Sequence, residues 1–234
     1  MANKFYSPGP ERSPRVAALF DGIAARYDLI NDLQSIGFHR LWKRRLINIA
    51  NPRAGQVALD LCCGTGDVAA ALAAKGMKVV GLDFSARMLE EARRRGRHEV
   101  QLLRGDALRI PFQDKSFDLV TVSYGLRNLA DLEQGLREMM RVLRSGGRMV
   151  ILDFGKPDQP LWRALYFGYL RRCVPWFGRL FFGDSETHGY ILESLKNYPG
   201  QRGVEARLNQ LNCADTRVIN LWGGMMSINY AEKR

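Results

Sequence analysis

Cysteine, histidine and long apolar runs are all scarce in this chain of 234 residues. Four cysteines are too few for a disulfide scaffold. Cys62 and Cys63 are adjacent, Cys173 and Cys213 are isolated, and no C-x-x-C spacing occurs. The only histidines are His39, His98 and His188, so no metal site is expected. No apolar run reaches the ~18 residues that span a bilayer. The first residues, Met1 to Pro14, are polar and proline-rich and lack the apolar core of a signal peptide. A reduced, cytoplasmic protein is therefore expected. Acids are short as well: 24 Asp and Glu face 35 Lys and Arg, and 27 of those bases are Arg, giving a net charge of +11. That balance suits an acidic partner such as nucleic acid, an anionic membrane surface or a charged cofactor. Genomic composition explains it equally well.

What remains is ordinary globular composition, 46% hydrophobic and 25% charged, at a length common for one α/β domain. Val16 to Asp28 carries apolar residues at helical spacing, and Leu41 to Ile49 forms a second such stretch stopped near Pro52. Strand and helix patterns then alternate. Strands are expected at 57–61, 79–83, 100–103, 117–122 and 148–154, with helices over 67–74, after Ser85 as an N-cap, and over 132–143. Such alternation implies a parallel sheet covered by helices on both faces. Residues 157–197 interrupt it with a partly helical stretch dense in aromatics, including Trp162, Tyr166, Tyr169, Trp176 and Phe181. A helix over 203–211 and a hairpin over 216–231 follow, so the sheet should be mixed, with one reversed strand.

Acids close three successive strands at equal intervals: Asp60, Asp83 and Asp106. Ligands of open α/β sheets bind at these carboxyl ends. Between the first two lies Gly64-Thr65-Gly66, whose glycines permit close backbone approach. Two cofactors could use this. Gly64-x-Gly66-x-x-Ala69 fits a dinucleotide fingerprint, with Asp83 on a ribose. S-adenosylmethionine carries a cationic amino-acid end, a ribose diol and an adenine amine. Asp60, Asp83 and Asp106 would suit these in turn through charge-assisted hydrogen bonds, and Asp60 would repel a pyrophosphate. The three acids together favour the methyl donor over an NAD-binding oxidoreductase. Each acid singly could be only a turn or cap residue.

The stretch from Leu59 to Asp67 resembles the first motif of class I S-adenosylmethionine-dependent methyltransferases. A closer resemblance runs from Phe20 to Phe154. Phe20-Asp21-x-Ile23-Ala24-x-x-Tyr27-Asp28-x-x-Asn31, Trp42-Lys43, Gly105-Asp106-Ala107, Pro111-Phe112, Phe117-Asp118, Tyr124-Gly125-Leu126-Arg127-Asn128 and Gly146-Gly147 occur in the order of the UbiE/MenG family. It thins through the aromatic segment and resumes near Tyr190. Two departures stand out: Cys62 takes the place of the motif's first glycine, and Asn212-Cys213-Ala214 replaces a usual Gly-Phe.

That resemblance implies a Rossmann-like class I fold with a mixed seven-stranded sheet and a terminal antiparallel hairpin. It implies C-methylation of a prenylated quinol: demethylmenaquinol first, with demethylphylloquinol or the benzoquinol of ubiquinone synthesis as alternatives. Thr65, Asp83, Asp106, Ala107 and Ser123 would contact the cofactor, and Asp60 with Gly64 to Gly66 would form the turn around it. Residues 1–54 would be a helical lid that includes Tyr27, 55–156 the cofactor-binding core, 157–198 a substrate- or membrane-facing insertion, and 199–234 the closing helix and hairpin. Arg127 is the first candidate to hold a quinolate oxyanion; a structural pairing with an acid is its alternative. Asn128 would orient the substrate oxygen or cap a helix, and Tyr124 would stack on the ring or pack the core. His39 and His188 are base candidates or ordinary polar contacts. Cys62 and Cys63 read as packing residues. The aromatic segment, with Arg163, Arg171, Arg172 and Arg179, suits an anionic membrane surface, with a homodimer interface or plain core as alternatives. No RNA-binding module is apparent, so nucleic acid is not expected as a partner.

Overall fold

The computed structural model describes residues 12–182, 186–211 and 213–234; the side chains of 173–182 and 186–189 are outside that description. Five parallel strands, β1 (Val57–Leu61), β2 (Lys78–Asp83), β3 (Val100–Arg104), β4 (Phe117–Ser123) and β5 (Leu143–Phe154), are followed by β6 (Cys213–Leu221) and β7 (Met226–Lys233). They form one seven-stranded sheet in the order β3-β2-β1-β4-β5-β7-β6, with β7 antiparallel to both neighbours. The mixed sheet and its terminal hairpin are as the alternation implied. The strand order reverses between β1 and β4, and there the loops after the strands diverge and open a crevice.

The helices are α1 (Arg12–Ile23), α2 (Tyr27–Ser35), α3 (Phe38–Ala50), α4 (Asp67–Ala73), α5 (Ala86–Arg94), α6 (Leu132–Val142), α7 (Pro160–Phe182), α8 (Glu186–Asn197) and α9 (Gly200–Gln210). The sheet separates two buried clusters, because successive strand side chains point to opposite faces. Leu59, Leu61, Met149 and Ile151 pack with residues of α6 to α9. Ala58, Val79, Val150 and Leu152 pack with Leu46, Ile47, Val68 and Leu72 of α3 and α4. Among the described residues no helix is long and apolar enough to cross a membrane.

The N-terminal region departs from the sequence expectation. One long helix over 16–28 and a second over 41–49 become three helices, with α1 and α2 joined by a tight 3-10 turn over Ala24–Arg26. Tyr27 and Asp28 therefore open α2 instead of closing α1. The periodic pattern missed α2 because only Ile30 of its apolar residues is buried: Leu29 is 54% and Leu33 48% exposed. α2 stops where Ile36 (φ 50°) and Gly37 (φ 76°) turn left-handed. Strand β5 also begins earlier than expected, with Leu143 paired to Phe117 across a bulge.

Candidate active site

Cys62 adopts φ 53°, the left-handed conformation for which glycine is the usual choice. The substitution fits because Gly125 opposes it: a Cβ on Gly125 would lie 2.4 Å from the Cys62 Cβ. Burial pushes both the Cys62 and Cys63 thiols up, as expected of packing residues. Gly64 follows at φ 54°, with open space where a side chain would stand. Its N–H donates to Asp83 Oδ2 at 2.8 Å, and the Ser85 N–H donates to Asp83 Oδ1 at 2.8 Å. Ser85 Oγ accepts from the Met88 N–H at 3.1 Å and caps α5, as the sequence suggested. The same hydroxyl donates to Asp21 at 2.5 Å and so ties α1 across the strand ends.

These elements border a cleft lined by Gly64, Asp83, Asp106, Ala107, Ser123, Tyr27, Tyr124, Asn128 and apolar residues of α1. Six of the nine expected cofactor residues are thus on one wall. Asp60, Thr65 and Gly66 are not. Asp60 is 1% exposed and lies under the turn, where the Thr121 hydroxyl of its paired strand donates to it at 2.7 Å. Thr65 is buried too, with its hydroxyl 3.4 Å from Asp28 of α2. Burial raises the Asp60 carboxyl to about 7 and raises Asp83 as well. Among the described residues the cleft wall carries Asp83 and Asp106 and no basic side chain.

That chemistry fits a sulfonium-bearing nucleoside. Asp83 faces the cleft with acceptor capacity left for a ribose hydroxyl, and Asp106 stands on the same lining for an amine. Gly64 leaves room for close approach. The Ser123 hydroxyl is buried on the wall without a partner, which an occupant of the cleft would satisfy. A pyrophosphate would meet two carboxylates and no cation.

A second, larger cavity of about 530 Å³ lies against the first, and Phe20, Tyr27 and Tyr124 line both. Its walls come from α1, α2, α3, α7, α8 and the turn at Trp222, and they are mostly aromatic and aliphatic. Tyr124 stands at the junction at φ 62°, with its hydroxyl buried and without a partner. A bulky residue in this conformation costs of order 1–3 kcal/mol and persists only where its surroundings hold it. Arg127 Nη1 and Asn128 Nδ2 do so, donating to the Tyr124 carbonyl at 2.6 and 3.1 Å.

Arg127 takes the pairing the sequence left open as its alternative. It is 7% exposed, its Nη1 donates to Asp153 Oδ1 at 2.8 Å, and its backbone N–H donates to Asp153 Oδ2 at 3.0 Å. The guanidinium lies 4.6 Å from the centre of the Phe154 ring. It borders the larger cavity and not the acid-lined cleft, and its Nε has no partner among the described residues. Asn128 Oδ1 accepts from the Tyr190 hydroxyl of α8 at 3.0 Å. His188 lies outside the residues whose side chains are described. Three participants escaped the sequence reading: Asp153, Tyr190 and the Asp21–Ser85 tie. Asp153 carried a usable signal, since it closes β5 as the other acids close β1 and β2.

An open sheet of this order with an acid-lined crevice at its switch point is the build of a class I S-adenosylmethionine-dependent methyltransferase. Solved methyltransferases share that fold: the chain matches one from Thermotoga maritima at a TM-score of 0.65 and 18% identity, covering 93% of this chain and 99% of that one. One from Aquifex aeolicus matches at 0.57 and 17%, covering 81% and 88%. The chain belongs to the ubiE/COQ5 methyltransferase family, whose family model matches residues 10–233. It is 41% identical over 218 residues to the demethylmenaquinone methyltransferase of Beutenbergia cavernae, covering 93% of this chain and 90% of that protein. It is 38% identical to the ubiquinone/menaquinone biosynthesis C-methyltransferase UbiE of Hahella chejuensis, covering 97% and 94%. Membership sets aside the NAD-binding alternative.

Proposed function

We propose that the chain methylates a ring carbon of a prenylated naphthoquinol, converting demethylmenaquinol to menaquinol. The observation that carries this reading is the pair of adjoining cavities. One is lined by two carboxylates; the other is larger and mostly aromatic and aliphatic; and Tyr27 and Tyr124 stand in the wall between them. S-adenosylmethionine supplies an electrophilic methyl group on a sulfonium, whose sulfur keeps the bonding pair when the methyl leaves. Asp83 and Asp106 would hold its ribose and adenine, Ser123 and Ala107 would line the middle, and Gly64 would allow close approach. Asp60 would act from beneath, bracing the turn through its bond with Thr121. Tyr27, at the start of α2 on the N-terminal lid, whose described part is residues 12–54, would close the cleft and exclude water.

The protein's task toward the quinol is placement, because alignment of nucleophile and methyl at ~3–3.5 Å supplies much of the rate. Tyr124, held left-handed by Arg127 and Asn128, presents its ring and hydroxyl at the junction. The Arg127 guanidinium puts a permanent cation beside the ring site, where a developing quinolate oxygen gains most from it in a dry cavity.

We assign the helices of residues 157–198, together with α2, to the entry of the prenyl tail. Several apolar side chains there stand in solvent: Ile36 at 84%, Leu161 at 74% and Leu165 at 58% exposure, with Trp162 and Trp222 at the cavity mouth. Apolar groups beside Arg163, Arg171 and Arg172 suit the acyl boundary of an anionic membrane.

A methyl-transfer assay with S-adenosylmethionine and reduced demethylmenaquinone, demethylphylloquinone or the benzoquinol precursor, side by side, tests the substrate. Preference for a naphthoquinol is expected; turnover of the benzoquinol alone would replace this reading with the ubiquinone one. Vesicle flotation with anionic and neutral lipids tests the surface, and equal absence from both would remove it.

A further inference from the structure

We propose that His39 is the general base that takes the proton of the quinol hydroxyl beside the acceptor carbon. This rests on the quinol reading above. C-alkylation needs the electron pair that the hydroxyl oxygen releases into the ring when its proton leaves. Something in the larger cavity must accept that proton. Among the described residues no carboxylate lines that cavity. Arg127 is a permanent cation engaged by Asp153. Tyr27, Tyr124, Tyr166, Tyr169 and Tyr190 are phenols, and burial drives Tyr124 and Tyr166 still further from ionisation. Among the described residues His39 is the remaining titratable group on the wall.

Its hydrogen bonds assign its tautomer. The Ser35 hydroxyl spends its one proton on the Asn31 carbonyl, at 2.6 Å. Towards His39 the hydroxyl oxygen can therefore only accept. It accepts from the His39 backbone N–H at 3.2 Å and faces Nδ1 at 3.0 Å. Nδ1 must carry the hydrogen, and Asp32 Oδ1, at 3.6 Å, stands behind it. Nε2 is then the basic nitrogen, and among the described residues no hydrogen bond engages it. His39 lines the cavity, and a ring whose Nδ1–H is held by an acceptor has Nε2 as its proton-accepting nitrogen.

The charges around the ring keep it neutral before reaction. Burial and then Lys43 hold its pKa below the usual histidine range, with Arg40 acting in the same direction and Asp32 and Asp67 opposing. Lys43 is itself paired with Asp67 at 3.0 Å, and Arg40 with Asp32. Once the imidazolium forms, Asp32 lies close enough to Nδ1–H to stabilise it. In the step itself the O–H bond breaks, its pair moves into the ring, and an N–H bond forms at Nε2. After the carbon has its methyl group, the ring C–H proton leaves to water and the imidazolium returns its proton to the oxygen. One proton is released per turnover.

The test compares wild type with His39→Gln, using a mono-O-methylated naphthohydroquinone that keeps the hydroxyl beside the open carbon and resists oxidation. The expected loss in kcat is about 10²–10⁴-fold, with KM changed only a few-fold. The acidic limb of the wild-type pH profile should vanish and be replaced by a rise that follows the probe's own ionisation. A kcat within about threefold of wild type, or an unchanged limb, would overturn the proposal. Isotope-edited NMR of the wild-type imidazole, which needs no variant, should find Nδ1 protonated and Nε2 bare near neutral pH; the opposite tautomer overturns it as well. Wild type that binds S-adenosylmethionine but methylates neither the probe nor any quinol defeats the substrate reading itself. Wild-type turnover with an unaffected variant defeats only the role of His39.

Discussion

The Arg127–Asp153 pair supports the whole junction, and its removal should be costly in a specific way. Asp153 is 1% exposed and its carboxylate accepts three hydrogen bonds, from Arg127 Nη1 at 2.8 Å, the Arg127 N–H at 3.0 Å and the Phe154 N–H at 2.8 Å. In Asp153→Asn one oxygen becomes an NH₂ group facing donors, and the guanidinium is left buried without its counter-charge. Removing one partner of a buried pair costs about 3–5 kcal/mol. At about 2–4 °C per kcal/mol for a chain of this size, Tm should fall by roughly 6–20 °C. A double variant, Arg127→Met with Asp153→Leu, removes both charges. It should recover most of that loss, because an apolar pair of similar volume is often no less stable than the ionic one. It should still lack activity, since Tyr124 loses one of the two donors that hold its carbonyl. Urea denaturation of the four proteins gives the coupling energy. A single variant within about 1 kcal/mol of wild type, or a double variant that loses the sum of the singles, would refute the account of a closely coupled buried pair. High salt should change little, because both groups are shielded from solvent.

Three further outcomes follow from the same geometry. The Asp60 carboxyl is raised from 3.8 to about 7 by burial, so the folded state holds its proton more tightly than the unfolded chain. Stability should therefore fall as pH rises from about 4 to about 7, by up to ~4 kcal/mol, and level off above. Asp60→Asn should flatten that slope in denaturation measured across the window, and an unchanged slope would show that another group causes it. Ser85→Ala removes both the cap of α5 and the hydroxyl held by Asp21. A loss of about 1–2 kcal/mol is expected, together with faster amide exchange in α1; normal protection of α1 would show that the tie does not hold it. Asp83→Ala removes the acceptor that faces the ribose position, and calorimetry should find S-adenosylmethionine binding weakened at least tenfold, corresponding to 1.5–3 kcal/mol for a charged hydrogen bond. Unchanged affinity would place the cofactor elsewhere.

Strand positions were legible wherever burial on both faces left a short, mostly apolar run. Val57 to Leu61, polar only at Asp60, and Phe117 to Val122, polar only at Asp118 and Thr121, read as strands for that reason. The cleft was legible because the carboxyl end of each strand is also its end in sequence, so Asp83 and Asp106 could be placed without coordinates. Asp60 shows the limit of that reasoning. Its position at a strand end was correct, but its side chain points to Thr121 of the neighbouring strand and not to the cleft, and only the pairing register decides this. Helix α2 was invisible for a different reason. Its apolar residues face a cavity or solvent, and amphipathic periodicity reports only faces turned toward a core.

By itself, then, the sequence determined the α/β class, the mixed sheet, the acid-lined crevice and the family. These follow from local periodicity, from residues adjacent in the chain and from motif order. Tertiary structure alone decided which partner each polar group takes. Arg127 meets Asp153 across 26 residues, Tyr190 meets Asn128 across 62, and Ser85 meets Asp21 across 64. It also decided that His39, a lone histidine in sequence, stands on the wall of an aromatic cavity with Nδ1 held against Ser35. Hydrogen bonds and ion pairs act over a few ångströms of space, and the separation of residues along the chain carries almost no information about that distance.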